Sequence, residues 1–199
     1  LRDRFSADAL RALDVESFPA ALAAAGAILR YAVETQRDRL GHVNELQWYE
    51  SSRNLILDDI ARRNLELFST ITEGRKAGSL YHVLDETMTA MGGRRLRWWL
   101  SYPLRQPERI RERLAAVADV KERHLLRQNL RRALGRQHDL ERLGARIAMG
   151  VANARDLVAL RQTLQALPEV KGLMAELLAP LLVAIREGID EMPDVLALA

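Results

Sequence analysis

Apolar residues recur every three or four positions along most of this 199-residue chain, and stretches that alternate residue by residue are scarce. This spacing collects apolar side chains on one side of a helix, so it predicts an all-α fold. After Pro19, the run "AALAAAGAILRYAVETQRDRL" predicts a long first helix. Only "NLIL", residues 54–57, is predicted to be extended.

Polar residues mark where several of these helices begin. Asp58 and Asp59 precede one helix, Ser79 can cap a short helix after the loop "TEGRKAGS", and Asn153 followed by Asp156 predicts a capping box. Further helices are predicted over "QPERIRERLAAVADV", with Ile110, Leu114 and Val117 on one face, and over "HLLRQNLRRAL" and "DLERLGARIAMG". Pro168 is predicted to interrupt the helices, Pro180 to split the last two helical segments, and both of those segments to end before Pro193.

The stretch "TMTAMGGRRLRWWLSYPL" combines two glycines, three arginines and two tryptophans. Thr89 is a suitable N-cap, and Pro103 disfavours helical geometry at the residue before it. Leu96, Trp99 and Leu100 share a face of the predicted helix, so we expect Trp99 rather than Trp98 to point into a core. Gly92 and Gly93 would let another helix approach closely, which indicates a structural joint.

Composition narrows the class of protein. The 30 lysines and arginines exceed the 27 acidic residues by only three, an excess too small to indicate a nucleic-acid-binding protein by itself. The absence of cysteine fits a reducing compartment, so we expect a cytoplasmic protein. No apolar run approaches the ~20 residues that span a bilayer, so no membrane is expected as a partner. Because the chain begins at Leu1, we expect a fragment of a longer protein.

Motifs for catalysis are missing from the sequence. His42, His82, His124 and His138 are scattered without metal-ligand spacing. "GRKAGS" is not a Walker A loop, because its lysine precedes the second glycine. We therefore predict no catalytic, cofactor-binding or metal-binding residue, and no ATP hydrolysis by this chain.

Arg123, Arg127 and Arg131, the arginine ridge, recur every four residues along one helix and are candidates for contact with DNA phosphates. The alternative, which the interspersed glutamates favour, is a solvated charged face. In that case Leu126, Leu130 and Leu134 form the buried side of the helix. Changing all three arginines to glutamine should then cost no more than about 1 kcal/mol of stability.

Four segments, in this order along the chain, resemble the core of the MutS DNA mismatch repair family: "LDDIARRNLEL", "GSLYHVLDETMTAMGGRRLRWWLSYPL", "IRERLAAVADV" and "DLERLGARIAMGVANARDLVALRQTL". The most specific part is Thr-x-Thr-x-x-Gly-x-Arg-x-Leu-x-x-Trp-Leu-x-x-Pro-Leu. Ala61 and Ala90 depart from the threonine and proline common in the family. The residues that carry the family motif are Asn64, Glu66, Asp85, Thr87, Thr89, Gly92, Arg94, Leu96, Trp99, Leu100 and Pro103.

The resemblance implies an elongated multi-helix core, or lever, over residues 46–199 that ends before the clamp insertion. Residues 1–45 would be the tail of a connector domain and the first long core helix. In the parent protein, this core would link a DNA clamp to an ATPase domain that binds ATP and Mg²⁺. Mismatched duplex DNA, a homodimer or paralogue partner and downstream repair factors are implied as partners. The alternative is a stand-alone helical DNA-binding or scaffold module that uses the arginine ridge.

Overall fold

The computed structural model describes residues 5, 17–36, 43 and 54–198. All regular structure in these residues is helical, which confirms the all-α prediction. The predicted domain boundary after residue 45 lies outside the described residues and stays a prediction. The described helices are α1 (Pro19–Gln36), α2 (Asp59–Asn64), α3 (Leu80–Leu84), α4 (Ala90–Ser101), α5 (Pro107–Glu122), α6 (His124–Leu134), α7 (Leu140–Ala148), α8 (Ala154–Leu173), α9 (Pro180–Glu187) and α10 (Pro193–Leu198), with a 3-10 turn at Met174–Glu176.

The chain divides into two compact units. The first comprises Leu1–Glu50 and Gly144–Val151, and its described part contains α1 and the last residues of α7. Helix α1 confirms the predicted first helix as far as Gln36. Neither described helix of this unit, nor any other in the described part of the chain, is long and apolar enough to cross a membrane.

The second unit, Ser51–Leu143 with Ala152–Ala199, contains the principal core. Helix α6 packs against α8, while α5 packs against α6 and α9. The apolar face predicted for α6 is confirmed, because Leu126 is buried in this core and Leu130 and Leu134 pack against it. The buried members of the core cluster are Leu126, Ala133, Val170, Met174 and Leu177.

Side-chain caps begin the helices where the sequence predicts them. The Asp58 carboxylate accepts the Ala61 backbone N–H at 2.7 Å, and the Ser79 hydroxyl accepts that of His82 at 3.2 Å. At the start of α8, the Asn153 side chain accepts the Asp156 N–H, and the Asp156 carboxylate accepts the Asn153 N–H, both at 3.0 Å. Each cap satisfies backbone donors that have no partner within the helix.

Two proline predictions need correction. Pro168 does not interrupt a helix, because α8 continues through it from Ala154 to Leu173. An internal proline costs a helix ~3 kcal/mol. Leu164 and Val170 are buried on either side of Pro168, so the packing of both parts of α8 offsets that cost. Helical structure also resumes at Pro193, which begins α10.

The segment predicted to be extended lies beside the end of α4. Asn54 forms an isolated antiparallel bridge with Leu104. The Asn54 side-chain amide donates to the Tyr102 carbonyl oxygen at 2.7 Å, and the Leu55 N–H donates to the Pro103 carbonyl oxygen at 2.7 Å. The residues just after α4 are therefore tied to the segment that precedes α2.

Candidate functional site: a polar joint around helix α4

Helix α4 begins in a network of short polar contacts. The Thr89 hydroxyl accepts the Gly92 N–H at 2.9 Å and caps the helix. Two residues earlier, the Thr87 hydroxyl donates to the Asp85 carboxylate at 2.8 Å, and the Lys76 ammonium lies 3.1 Å from the same carboxylate. These bonds lower the pKa of Asp85 below its usual value, and the bond from Thr87 has the largest effect. The carboxylate therefore holds its negative charge between the loop that precedes α3 and the start of α4.

The two glycines of α4 permit a close approach, as predicted, but the neighbours are the residues just before α4 as well as another helix, the short α3. A Cβ atom on Gly92 would lie 3.0 Å from the Thr89 hydroxyl oxygen and 3.4 Å from the Thr87 Cβ. A Cβ atom on Gly93 would lie 3.4 Å from the hydroxyl oxygens of Thr87 and of Tyr81 in α3. Any larger residue at position 92 would therefore press on the cap of its own helix.

Arg94 connects α4 to the start of α7. Its two terminal nitrogens donate to the Asp139 carboxylate at 2.8 and 2.6 Å, which is the parallel two-bond geometry that binds carboxylates most strongly. The guanidinium also donates to Glu141 at 2.6 and 3.0 Å. The bonds from Arg94 lower the pKa of Asp139 to about 2, and the two carboxylates raise the pKa of Arg94. Asp139 further accepts the Arg142 N–H at 3.2 Å, so it also caps α7.

The next arginines of α4 contact aromatic rings. The Arg97 guanidinium lies 4.2 Å from the centre of the Phe68 ring and 5.9 Å from that of Tyr81. Arg95 lies over the Trp98 ring at 5.7 Å. Such cation–π contacts contribute ~0.5 to 1 kcal/mol each at exposed sites. Helix α4 thus places successive arginines against different neighbours.

The prediction that Trp99 fills a core is wrong. Its side chain is 40% exposed, Trp98 is 37% exposed, and α4 contains no buried residue. The Arg113 guanidinium of α5 stacks on the Trp99 ring at 4.2 Å, where an apolar core had been expected. The spacing of the tryptophans correctly separates their directions around the helix, but it does not show which elements lie on either side.

The arginine ridge makes contacts within the chain. Arg123 pairs with Asp119 at 2.9 Å, and Arg127 donates to the Lys121 carbonyl oxygen at 2.7 Å. Arg131 donates to the Glu86 carbonyl oxygen at 2.8 Å and so ties α6 to the segment before α4. Contact of these arginines with DNA phosphate stays a prediction.

The remaining motif residues hold the chain around this network. Glu66 adopts a positive φ of 47°. Its side-chain carboxylate accepts a hydrogen bond from the Ile71 N–H at 2.6 Å, and its backbone carbonyl oxygen accepts one from the Leu80 N–H at 3.0 Å. Asn64 is the last residue of α2, while Leu96 and Leu100 are half-buried in α4. We call the set Asp85, Thr87, Thr89, Gly92, Arg94 and Asp139 the α4 joint.

Sequence reasoning missed Asp139 and Glu141, although Arg94 was among the motif residues. Asp139 precedes the helical run "LERLGARIA", so its position as a cap was a signal that could have been used. The described residues contain no group of three histidine, cysteine or acidic side chains that could hold a metal. Of the four histidines, His42 lies outside those residues, and His138 contacts Gln162 at 3.2 Å.

Comparison with known proteins identifies the relatives of this chain. The family model for MutS domain III matches residues 60–196. The DNA mismatch repair protein MutS of Brevibacillus brevis is 46% identical over 173 residues, which are 87% of this chain and 20% of that protein. The MutS proteins of Symbiobacterium thermophilum and Synechococcus elongatus are 42% and 44% identical over 98% and 96% of this chain, and over 22% of each protein. The chain thus spans about a fifth of the length of these relatives.

Proposed function

Because this chain belongs to the MutS family and carries its domain III, we propose that it is the core that transmits a conformational signal between the DNA clamp and the ATPase domain of its parent protein. The observation that carries the proposal is the α4 joint. The Thr89 cap fixes the first turn of this helix, Arg94 ties it to the start of α7, and the bond from Arg131 to Glu86 ties the segment before it to α6.

Such an arrangement suits transmission because displacement travels through rigid elements that are linked in more than one direction. If α4 moves as a body, the bonds of Arg94 move the start of α7 with it. The bond from Arg131 to Glu86 extends the linkage to α6, which lies in the principal core. Signal transmission of this kind is a coupling free energy between two sites, typically ~1 to 3 kcal/mol.

In the parent protein, we propose that ATP and Mg²⁺ bind to the ATPase domain and that mismatched duplex DNA binds to the clamp. No residue of this chain is assigned to either ligand. A homodimer or paralogue partner and downstream repair factors complete the proposed set of partners. The chain itself contributes the mechanical link and no chemical step.

The test compares Arg94→Gln with Arg109→Gln in the full-length parent. Arg109 is a matched control because it pairs with Glu112 at 3.0 Å within α5 and, among the described residues, bonds to no other element. Arg94→Gln should leave basal ATP hydrolysis and the affinity for mismatched duplex within threefold of the unchanged protein. It should reduce the stimulation of ATP hydrolysis by mismatched DNA at least fivefold, as expected for the loss of ~1 kcal/mol of coupling.

Two results would contradict the proposal. One is unchanged stimulation in a folded Arg94→Gln protein, and the other is an equal loss of stimulation in Arg109→Gln. A fall in mismatch affinity with stimulation preserved would place Arg94 in a binding role. Hydrolysis and DNA affinity are measured separately, so a folding defect that lowers both is distinguished from a loss of coupling.

The second candidate, a stand-alone DNA-binding module, has the arginine ridge in its favour, and the contacts of the ridge within the chain weigh against it. An autonomous binder should hold duplex DNA at micromolar affinity, with a steep dependence on salt. In the full-length parent, changing Arg123, Arg127 and Arg131 to glutamine should weaken DNA binding less than tenfold at physiological salt. A larger loss with a shallower salt slope would favour the DNA-binding module.

A further inference from the structure

One part of the apolar face of α5 is exposed, although the adjacent part of the same face packs into the core. Ile110, Leu114 and Val117 are 38%, 61% and 63% exposed, and their spacing of four and three places them in one stripe. On the inner side, Ala116 is buried and Val120 packs against the core cluster. The stripe therefore continues the apolar face of α5 beyond the part that packs into the core, and the described residues leave Ile110, Leu114 and Val117 largely uncovered.

Two arginines that form no ion pair with a described residue border this stripe. Arg113 lies three residues after Ile110 and stacks on the exposed ring of Trp99 at 4.2 Å. Neither Arg113 nor the nearby Arg95 forms an ion pair with any residue in the described part of the chain. Burial, followed by the charge of Arg95, lowers the pKa of Arg113, so a carboxylate placed beside the two guanidiniums would relieve their repulsion.

We propose that this surface binds an acidic amphipathic helix from the part of the same polypeptide that lies outside this chain. The surface, which we call the α5 docking face, consists of Ile110, Leu114, Val117, Arg113, Arg95 and Trp99. Its apolar stripe is ~10 Å long, which accommodates two turns of a helix packed alongside. The inference rests on membership of the family and not on the coupling role of the α4 joint.

The length of the relatives favours a partner segment on the same polypeptide. The chain spans about a fifth of the MutS proteins that it matches, so most of such a polypeptide lies elsewhere. A tethered segment has an effective concentration in the millimolar range when its linker can reach, so a small docking face is sufficient.

Two other occupants fit the surface less well. In a symmetric contact between two copies of this chain, the same face meets itself, so the arginines of both copies would repel one another. Nucleic-acid phosphates would match the arginines, but they would leave Leu114 and Val117 without an apolar partner. In an acidic helix with apolar residues three and four positions apart, the carboxylates would pair with the arginines and the apolar side chains would cover the stripe.

The test places the photo-crosslinking residue p-benzoylphenylalanine at position 114 of the full-length parent, where the leucine is mostly exposed. Copies labelled with ¹⁴N and ¹⁵N are mixed before irradiation, so that mass spectrometry separates links within one copy from links between copies. We expect a link within one copy to a helical segment outside residues 1–199 that carries aspartate or glutamate. Arg113→Glu should lower the yield of this link at least fivefold, whereas Arg109→Glu should leave it within twofold.

Several outcomes would overturn the proposal: links only to residues 1–199, only between copies, only to added duplex DNA, or none at all. A yield that is insensitive to Arg113→Glu would also overturn it, because the charge match would then be unimportant. If the protein modified at position 114 does not fold, the same crosslinker at Val117 samples the same stripe.

Discussion

Replacing Asp139 with asparagine removes the charge on which the α4 joint depends while keeping the shape of the side chain. The carboxylate accepts two bonds from Arg94 and one from the Arg142 N–H. An asparagine can accept only through its single oxygen, and its amide group would face the guanidinium donors. Arg94 and Asp139 would then lose their paired geometry.

The magnitude follows from the pKa of Asp139, which Arg94 lowers from 3.8 to about 2. Since one pKa unit corresponds to ~1.36 kcal/mol, the full effect would be about 2.4 kcal/mol. Arg94 is half exposed, so solvent screening reduces this figure to about 1 kcal/mol. We therefore expect Asp139→Asn to lower the free energy of unfolding by about 1 kcal/mol at pH 7.

Urea unfolding of the chain between pH 7 and pH 2 measures this effect. Because the folded-state pKa of Asp139 is lower than the unfolded value, its contribution is fully present above about pH 4 and disappears as the pH falls through about 2. The stability difference between the unchanged chain and Asp139→Asn should therefore shrink toward zero at the acidic end. Other carboxylates titrate in both proteins, so the difference isolates Asp139.

Glu141→Gln is the matched control, because Glu141 also accepts from Arg94 but its side chain is 68% exposed, against 14% for Asp139. We expect this control to lose less than ~0.5 kcal/mol. Equal losses in the two variants, or a loss in Asp139→Asn that does not depend on pH, would refute the assignment of Asp139 as the principal partner of Arg94.

Three further predictions concern neighbouring features. The Asp119 carboxylate accepts hydrogen bonds from the two backbone N–H groups just before α9, at 2.6 and 2.8 Å. Asp119→Asn should therefore lower the urea midpoint of unfolding and increase hydrogen exchange at these two amides. Unchanged exchange would contradict this role. Gly144→Ala, where an added Cβ meets nothing within 4 Å, should stabilise the chain by up to ~1 kcal/mol, and Gly92→Ala should give no such gain in thermal melts. Because both tryptophans are similarly exposed, Trp98→Ala and Trp99→Ala should each cost about 1 to 2 kcal/mol, and a loss above ~3 kcal/mol for Trp99 alone would restore it as a core residue.

Local signals predicted the helices and their caps because the side chains involved act within a few residues. Asp58, Thr89 and the Asn153–Asp156 pair each bond a backbone group three positions away, and that pattern is visible in the sequence. The partner of Arg94, in contrast, is 45 residues away, and nothing in the spacing around Arg94 specifies it. The exposure of Trp99 likewise depends on which element faces α4, and the spacing of the tryptophans does not specify that element.

The nature of the contacts suggests which part of this core can move. Helix α4 has no buried residue and is held by exposed ion pairs, cation–π contacts and caps, which can be exchanged for water at ~0 to 1 kcal/mol for each exposed pair. The core cluster around α6 and α8 is held by buried leucine, valine and methionine, where uncovering a large side chain costs several times more. If the core transmits a signal as we propose, α4 and the segments bonded to it should therefore move before the α6–α8 interface is disturbed. The α4 joint would then be the moving element, with the apolar core as the fixed body against which it moves.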